Sequence, residues 1–248
     1  MIPAILIGRK GSKGFPSKNK AKVLNKHLFE YPLTAALNSP FVDFVCVATD
    51  DEEITDIIKN KYDTSNIVFI DRPKELNTSK AKAEDVYIHC YNEIKSKSIK
   101  FDTLVLMMMN APCITSNMIN EMIQKLNISN NADSIITVSK YEMFTPFRVR
   151  NFVEDGTVYE YTSQEYLNEC EINCNRDSGS QKDFCYFDCS CAVIKNRCLD
   201  KIGEIGRLPQ RWIGSKIIPY EQKIPALDVD YEWQLGQIEY WVKNYGKK

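Results

Sequence analysis

The sequence has almost no net charge and no long apolar run. Its 248 residues carry 32 basic and 33 acidic side chains, a formal charge of −1, which argues against a broad nucleic-acid-binding surface. No apolar stretch reaches the length of a membrane span, and the short apolar run at residues 2–6 leads directly into a cationic segment. We therefore expect a cytoplasmic protein without a signal peptide, a membrane segment or a nucleic-acid partner.

The nine cysteines form no Cys-x-x-Cys pair, although six of them lie between residues 170 and 198. An odd number of cysteines in a chain without a secretion signal argues against a disulfide framework. Cys189 and Cys191 alternate with small residues, as the residues of a strand do. We expect reduced thiols, and a structural metal site is the alternative that the cluster leaves open.

Apolar runs and amphipathic segments alternate over the first two thirds of the chain. The pattern predicts strands at 2–7, 44–48, 67–70, 103–108 and 134–139, and helices at 28–38, 52–62, 82–97 and 116–126. Such alternation indicates an α/β, Rossmann-like fold with a mostly parallel sheet flanked by helices. A strand at 216–219 and a helix at 230–243, with Trp233 and Trp241 as its large apolar residues, complete the pattern.

The alternation stops after Lys140. Further strands are predicted at 147–153, 158–161 and 186–194, around a polar stretch at 168–182. We interpret residues 140–183 as a small β-rich arm inserted into a single domain that spans residues 1–248. A disordered surface loop is the alternative for the polar stretch.

A glycine-rich, cationic loop follows the first strand. Residues 7–19 read Ile-Gly-Arg-Lys-Gly-Ser-Lys-Gly-Phe-Pro-Ser-Lys-Asn, in which glycines let backbone N–H groups approach an anion and four cations supply charge. The loop lacks both the Gly-Lys-Ser/Thr ending of a Walker loop and the three-glycine pattern of dinucleotide folds. Because loops after the first strand lie at the ligand-binding edge of open α/β sheets, we interpret it as a phosphate site. An ordinary solvated turn is the alternative.

A second polar feature, Asp228-Val229-Asp230, precedes the last predicted helix. Carboxylates one residue apart point to the same side of an extended backbone and can bind one hard divalent cation. Mg²⁺ accepts one or two carboxylates and completes its shell with water and substrate phosphates. The alternative is that Asp230 caps the helix and Asp228 is solvated. The cationic loop favours the metal site, because phosphates and metal would then share one site.

The loop Arg9–Asn19 resembles the signature of the acylneuraminate cytidylyltransferases, or CMP-sialic acid synthetases: Arg, two variable residues, Ser-Lys-Gly, a spacer and Lys-Asn. Three further matches follow in the family's order, namely residues 48–54, Arg72-Pro73 with Leu76, and Asp228-Val229-Asp230. The resemblance implies an enzyme that transfers CMP from CTP to an acidic, sialic-acid-like nonulosonate and releases pyrophosphate. It also implies Mg²⁺ or Mn²⁺ as the cofactor and a homodimer.

The resemblance also implies roles for individual residues. The metal ligands would be Asp228 and Asp230, and the catalytic residues Arg9, Lys18 and Asp230. The nucleotide would be bound by Gly8, Arg9, Gly11, Ser12, Lys13, Lys18, Asn19, Arg72 and Asn110. An acidic acceptor needs cations for its carboxylate, and the candidates near the predicted arm are Lys140, Arg148 and Arg176, although each is also compatible with a plain surface charge.

One segment departs from the family pattern. After the fourth strand the family usually has Leu-Gln-Pro-Thr-Ser-Pro-Leu-Arg, and alignment on Pro112 places the glutamine at Met108 and the arginine at Ile114. Methionine cannot make the hydrogen bonds of glutamine, so either Asn110 compensates or the substrates differ. Transfer to a sugar phosphate or phosphonate thus stays open, and a non-catalytic nucleotide-sugar-binding protein is the alternative of a different class.

Overall fold

A seven-stranded sheet forms the centre of the protein in its computed structural model, which describes residues 1–141, 149–154, 156–165, 168 and 184–246. The strands are, in chain order, β1 Pro3–Ile7, β2 Lys22–Val23, β3 Lys26–His27, β4 Phe44–Ala48, β5 Ile67–Ile70, β6 Thr103–Met108, β7 Ser134–Ser139, β8 Arg150–Phe152, β9 Val158–Glu160, β10 Tyr186–Lys195 and β11 Ile217–Glu221. The α-helices are α1 Glu30–Leu37, α2 Glu52–Lys61, α3 Ala83–Ser96, α4 Ser116–Ile128, α5 Arg197–Asp200, α6 Ile202–Ile205 and α7 Leu235–Tyr245. Within these ranges, no helix combines the length and the apolar composition needed to cross a bilayer.

The sheet order is β11-β7-β10-β6-β1-β4-β5, and neighbouring strands are parallel except where β10 is involved. The predicted mostly parallel sheet is therefore confirmed. β10, which sequence analysis grouped with the irregular region after Lys140, is a central strand and is antiparallel to both β6 and β7. Because its direction is reversed, β10 begins at the edge where its parallel neighbours end, and Tyr186 pairs with Ser139 at the end of β7.

Helices cover both faces of this sheet. On one face α1, α2 and α4 bury Leu33, Ile54 and Ile123 against β1, β4 and β6. On the other face α3 and α5 bury Tyr87 and Leu199 against the same strands and β10. Both faces of the strands are apolar, as expected for a sheet with two helical layers.

The last helix forms a third apolar cluster with the segment that precedes it. Trp241 and Ile238 of α7 are buried together with Val229 and Ala226. Trp233, predicted to lie within this helix, instead lies in a 3₁₀ turn before it and is 68% exposed. The burial of Val229 anchors the segment that carries the two aspartates.

β8 and β9 pair with each other in a separate antiparallel hairpin. They fall inside the range predicted to form an arm, and all their side chains are exposed. Residues 142–148 and 169–183 lie outside the described residues, so the arm stays a prediction.

A buried carboxylate, Glu30, joins α1 to α2. Its Oε2 accepts the backbone N–H of His27 (2.8 Å), and its Oε1 accepts the Tyr62 hydroxyl (2.6 Å) and pairs with the ammonium of Lys61. Burial alone would raise the pKa of Glu30, but the bonds from Lys61, Tyr62 and His27 outweigh it and hold the pKa at about 2, below the ordinary value of 4.5. This ionised side chain thereby fixes the start of α1, close to the end of the cationic loop.

We predict that Glu30→Gln lowers the free energy of unfolding by about 2–4 kcal/mol at pH 7, because Lys61 loses a buried partner. A depressed folded-state pKa means that the stabilisation is complete above the unfolded value and is lost as the pH falls from about 4.5 towards about 2. Urea unfolding followed by circular dichroism between pH 7 and pH 3 should show a smaller pH slope for the variant. Glu239→Gln, which removes an exposed helix pair with Lys243, is the control, and parallel slopes for Glu30→Gln and the unmodified chain would contradict the prediction.

Candidate active site

The glycine-rich loop starts at the carboxyl end of β1, in the middle of the sheet. The N–H of Gly8 donates to the carbonyl of Ala48 (3.2 Å), and the N–H of Met109 donates to the carbonyl of Ile7 (2.9 Å). A Cβ added to Gly8 would lie 2.4 Å from the Sδ of Met109, so only glycine fits here without displacing that side chain. Close packing thus fixes the point at which the loop leaves the sheet.

The loop and the neighbouring strand ends enclose a cavity. Met108 and residues 81–83 at the start of α3 contribute to its lining, and sequence analysis missed the latter. Of the residues predicted to bind nucleotide, Gly11 and Lys13 are exposed and lie outside this lining. The others line the cavity: Gly8, Arg9, Ser12, Lys18, Asn19, Arg72 and Asn110.

Asn19 holds the loop in its folded course. Its buried side-chain amide donates to the backbone carbonyl of Arg9 (3.1 Å), and the backbone carbonyl of Asn19 accepts the N–H of Phe29 (3.2 Å). The amide therefore ties the loop's first cation to the region just before α1. The bond fixes the loop backbone at Arg9, and Asn19 also lines the cavity.

Arg72 brings a further cation to the cavity from the segment after β5. One of its terminal nitrogens donates to the carbonyl of Leu76, whereas its buried Nε has no hydrogen-bond partner among the described residues. Burial lowers the pKa of the guanidinium, and the Asp50 carboxylate opposes that shift. The positive charges of Arg72, Arg9 and Lys18 together suit this cavity to an anionic ligand.

The two aspartates lie next to the cationic loop. Lys18 Nζ is 2.5 Å from Asp230 Oδ1, and the Asn110 side chain donates to Asp228 Oδ2 (3.1 Å) and to the carbonyl of Val229 (3.0 Å). Burial raises the pKa of Asp228, and the negative charge of Asp230 raises it further. A buried carboxylate next to a second carboxylate is a setting that a bound cation stabilises.

A second cavity lies on the other side of the aspartates. Asp228 and Asp230 line it together with aromatic side chains from β10 and from the segment before α7: Tyr186, Phe187, Tyr231 and Trp233. No motif in the sequence marks these residues. A correct assignment of β10 as antiparallel would have placed its first residues at this edge, but periodicity carries no information on strand direction.

Buried Asp188 shapes the start of β10. Its carboxylate accepts the hydroxyls of Thr137 (2.6 Å) and Ser139 (2.8 Å), the Gln222 amide (3.0 Å) and the N–H of Ser190 (3.0 Å). Between Phe187 and Ala192 the pairing with β7 is irregular, which is the mark of a β-bulge. The carboxylate thus locks a bulge beside the second cavity.

The predicted acceptor-binding cations are only partly described. Lys140 adjoins Tyr141 of the second cavity, but its ammonium pairs with Glu221 Oε2 at 3.0 Å. Arg148 and Arg176 lie outside the described residues. Their roles therefore stay predictions.

The comparisons with known proteins agree with this geometry. Residues 3–189, about three quarters of the chain, match the sequence profile of the family described as cytidylyltransferase. The chain belongs to the cytidylyltransferase family. The predicted family resemblance is thereby confirmed, and so is the assignment of the chain as a nucleotidyltransferase.

Curated relatives share about a quarter of the aligned positions with this cytidylyltransferase. The pseudaminic acid cytidylyltransferase of Campylobacter jejuni serotype O:2 is 27% identical over 162 residues, which cover 65% of this chain and 68% of the relative. The CMP-N,N'-diacetyllegionaminic acid synthase of Legionella pneumophila is 24% identical over 176 residues, 71% of this chain and 72% of the relative. The N-acylneuraminate cytidylyltransferase of Escherichia coli O18:K1:H7 is 29% identical over 165 residues, 66% of this chain but only 37% of the relative.

Solved structures share the fold over nearly the whole chain. The CMP:2-keto-3-deoxy-manno-octonic acid synthetase complexed with CTP has a TM-score of 0.64 at 12% identity, covering 98% of both chains. The 4-diphosphocytidyl-2C-methyl-D-erythritol synthase of Anaerococcus prevotii has a TM-score of 0.63 at 12% identity, covering 98% of this chain and 96% of its own. At such identities the likeness supports the fold alone.

The two departures from the family pattern lie in different surroundings. Ile114 is buried in the core beside α1 and α4, so the position of the family's arginine has become part of the apolar packing in this cytidylyltransferase. Met108 lines the nucleotide-side cavity, where the family's glutamine is expected. The side-chain NH₂ of Asn110 donates to Asp228 and to the carbonyl of Val229, which fixes the aspartate segment and commits these donors away from the position of the family's glutamine.

We predict that Gly14→Ala weakens catalysis, because its Cβ would lie 3.0 Å from the backbone oxygen of Asp230, where the chain cannot easily move. Displacing the loop from Asp230 should lower kcat/KM for CTP by up to about ten-fold. The matched control is Gly203→Ala in α6, whose added Cβ would meet nothing within 4 Å and which should stay near the unmodified value. Equal effects of the two substitutions on steady-state kinetics would refute the assigned contact.

Proposed function

We propose that this cytidylyltransferase transfers CMP from CTP to a nine-carbon acidic sugar and releases pyrophosphate. The observation that carries the proposal is the 2.5 Å contact between Lys18 and Asp230, which joins a cation-lined cavity to a carboxylate pair. The aspartates also line a second cavity, so a nucleotide and an acceptor would meet at the same carboxylates. The names of the curated relatives, which refer to pseudaminic, acylneuraminic and legionaminic acids, support this class of acceptor.

The loop would hold the triphosphate through charge and hydrogen bonds. Arg9 and Lys18 would neutralise the non-bridging phosphate oxygens, and Ser12 would donate its hydroxyl. Arg72, which also lines the cavity, would add its positive charge to the same site. Gly11 and Lys13, although exposed in the free protein, lie on the same loop and would complete the cradle when the nucleotide binds.

Mg²⁺, or Mn²⁺, fits the aspartate pair. Among the described residues, no group of three acidic, cysteine or histidine side chains is arranged for a metal, and two carboxylates with open positions are what Mg²⁺ uses beside substrate phosphates. Burial and then the charge of Asp230 raise the pKa of Asp228, and a bound cation would stabilise the ionised form of this carboxylate. Asp228 and Asp230 would hold the ion, and the ion would stabilise negative charge on the phosphate oxygens.

The chemical step is an in-line displacement at phosphorus. A hydroxyl of the acceptor would attack the α-phosphorus and lose its proton to water, forming a new O–P bond, while the bond from that phosphorus to the bridging oxygen of the β-phosphate breaks and pyrophosphate leaves. Lys18, at the boundary of the two cavities, would neutralise charge that builds on the α-phosphate and hold Asp230 in place. Positioning and electrostatics would supply most of the rate enhancement.

Recognition of the acceptor's carboxylate is proposed to involve Lys140, Arg148 and Arg176, as the sequence indicates. We also propose a homodimer whose contact includes the β8–β9 hairpin, on which Phe152 is 91% exposed and Tyr159 58%. Sedimentation or light scattering of the intact chain measures the oligomeric state.

The proposed reaction is tested by pyrophosphate release with CTP, UTP, ATP and GTP, each combined with N-acetylneuraminic, pseudaminic or legionaminic acid or with a sugar phosphate. We expect release with CTP and at least one nine-carbon sugar acid, and only when Mg²⁺ or Mn²⁺ is present. Mass spectrometry of the product should show a CMP-linked sugar. Release with a sugar phosphate but with none of the acids would overturn the proposed acceptor class.

We predict that Asp230→Asn reduces kcat by at least about 100-fold, because it removes both a metal ligand and the partner of Lys18. Binding of CTP, measured by isothermal titration, should be weakened far less. Asp102→Asn is the matched control, since Asp102 pairs with Lys195 (2.7 Å) just before β6, at the opposite end of the sheet. Activity that survives in Asp230→Asn would show that the carboxylate pair is not the metal site.

A further inference from the structure

The two aspartates lie on a segment without regular secondary structure. Residues 222–231, between β11 and the 3₁₀ turn before α7, belong to no helix or strand. Backbone groups in such a segment find their hydrogen-bond partners in other elements, and these partners set its course. Because Mg²⁺ accepts only a narrow range of ligand geometries, the partners also decide whether both carboxylates can bind one ion.

One attachment lies at the aspartates themselves. The Asn110 side chain donates to Asp228 Oδ2 (3.1 Å), and its backbone carbonyl accepts the N–H of Val229 (2.8 Å). A segment held at a single point can still pivot about it. A second attachment is therefore needed to set the direction of both carboxylates.

The second attachment lies at Ala226, two residues before Asp228. The N–H of Ala226 donates to the hydroxyl oxygen of Ser139 (3.0 Å), and its carbonyl accepts the hydroxyl of Tyr186 (2.8 Å). Ser139 is the last residue of β7 and is fully buried. Two central strands of the sheet thus bind both backbone groups of Ala226.

Buried Asp188 orients the Ser139 hydroxyl. Its carboxylate is only 2% exposed and is surrounded by four donors, from Ser139, Thr137, Ser190 and Gln222. The hydroxyl of Ser139 has one proton, which it donates to Asp188 Oδ2 (2.8 Å), so it presents a lone pair to Ala226. The position of Ala226 therefore depends on the carboxylate.

The same carboxylate is linked to the other end of the segment. The amide of Gln222, the first residue of the segment, donates to Asp188 Oδ2 (3.0 Å) and accepts the indole N–H of Trp241 (3.2 Å). Trp241 is buried on α7, which follows the segment. The elements before and after the aspartates thus meet at one buried group.

We propose that Asp188 and Ser139 are positioning residues of the metal site. They hold Ala226, and through it the backbone of Asp228 and Asp230, in the arrangement in which both carboxylates bind one Mg²⁺ or Mn²⁺. Neither Asp188 nor Ser139 is itself a metal ligand in this arrangement. The proposal rests on the proposed function, in which the aspartate pair binds the metal.

Thr137 on β7 offers a matched comparison with Ser139. Both residues are fully buried, donate a hydroxyl to Asp188 and accept one backbone N–H. That N–H comes from Ala226 for Ser139 and from Cys191 for Thr137 (3.1 Å). Ser139→Ala and Thr137→Val therefore remove the same kinds of hydrogen bond, and only the first removes a bond to the aspartate segment.

Mn²⁺ binding without nucleotide, measured by electron paramagnetic resonance of the free ion, tests the proposal independently of activity. We expect Ser139→Ala to raise the Kd for Mn²⁺ about ten-fold and Thr137→Val to raise it at most about two-fold, as is usual when an outer partner of metal ligands is lost or kept. In pyrophosphate release, Ser139→Ala should need about ten-fold more Mn²⁺ for half the maximal rate. Its kcat at saturating Mn²⁺ should stay within about two-fold, because the ligands themselves are retained.

Asp188→Asn gives a second comparison, with Asp133→Asn as its control. Asp133 is also a buried carboxylate that accepts backbone N–H groups, but it precedes β7, at the opposite end of that strand from Ser139. We expect Asp188→Asn to raise the Kd for Mn²⁺ at least about ten-fold and Asp133→Asn to leave it within about two-fold. If Asp188→Asn does not fold, the comparison of Ser139→Ala with Thr137→Val decides.

A Kd for Mn²⁺ that Ser139→Ala leaves unchanged, or that Ser139→Ala and Thr137→Val raise equally, would overturn the positioning role and leave CMP transfer intact. Asp230→Asn separates this result from a failure of the proposed metal site. If Asp230→Asn and the unmodified chain bind Mn²⁺ equally, the carboxylate pair is not the metal site, and the positioning role fails with it.

Discussion

The ion pair between Lys18 and Asp230 joins two segments that are 212 residues apart in the chain. Everything proposed for the site depends on this contact, because it places the cationic loop next to the carboxylate pair, where the two cavities meet. Each partner alone would carry an unbalanced charge in a partly enclosed place. Together the two charges neutralise each other. In the proposed complex, a polyphosphate would bind Lys18 and a divalent cation would bind Asp230, so each charge would keep an opposite partner.

Buried carboxylates also organise the frame around this pair. Asp133 accepts the N–H groups of Ser215 (3.0 Å) and Lys216 (2.8 Å) and pairs with Arg197, and thereby joins β7 to the start of β11. Asp188 locks the bulge of β10, and Glu30 joins α1 to α2. A buried charge tolerates only the arrangement that satisfies all its acceptor positions, so these three residues specify loop geometry that apolar packing alone would leave free.

The departures from the family pattern show that substitutions in one short segment can have different consequences. Ile114 exchanges a charged group for core packing and lies outside the linings of the nucleotide-side cavity and of the cavity that the aspartates line. Met108 stays in the site and changes the character of its lining. The proposed reaction needs positive charge at the phosphates, whereas acceptor selection depends on the shape and polarity of the neighbouring cavities.

The sequence by itself determined the α/β class, the positions of β1, β4, β5, β6 and β7, and most of the residues that line the nucleotide-side cavity. These are local signals: apolar periodicity, turn residues and motif spacing act over a few residues and can be read in order. Only the tertiary structure decided that β10 is antiparallel, that Trp233 is exposed, and that aromatic residues meet beside the aspartates. Strand direction and cavity lining arise from contacts between distant segments, and no local pattern records which segments will meet.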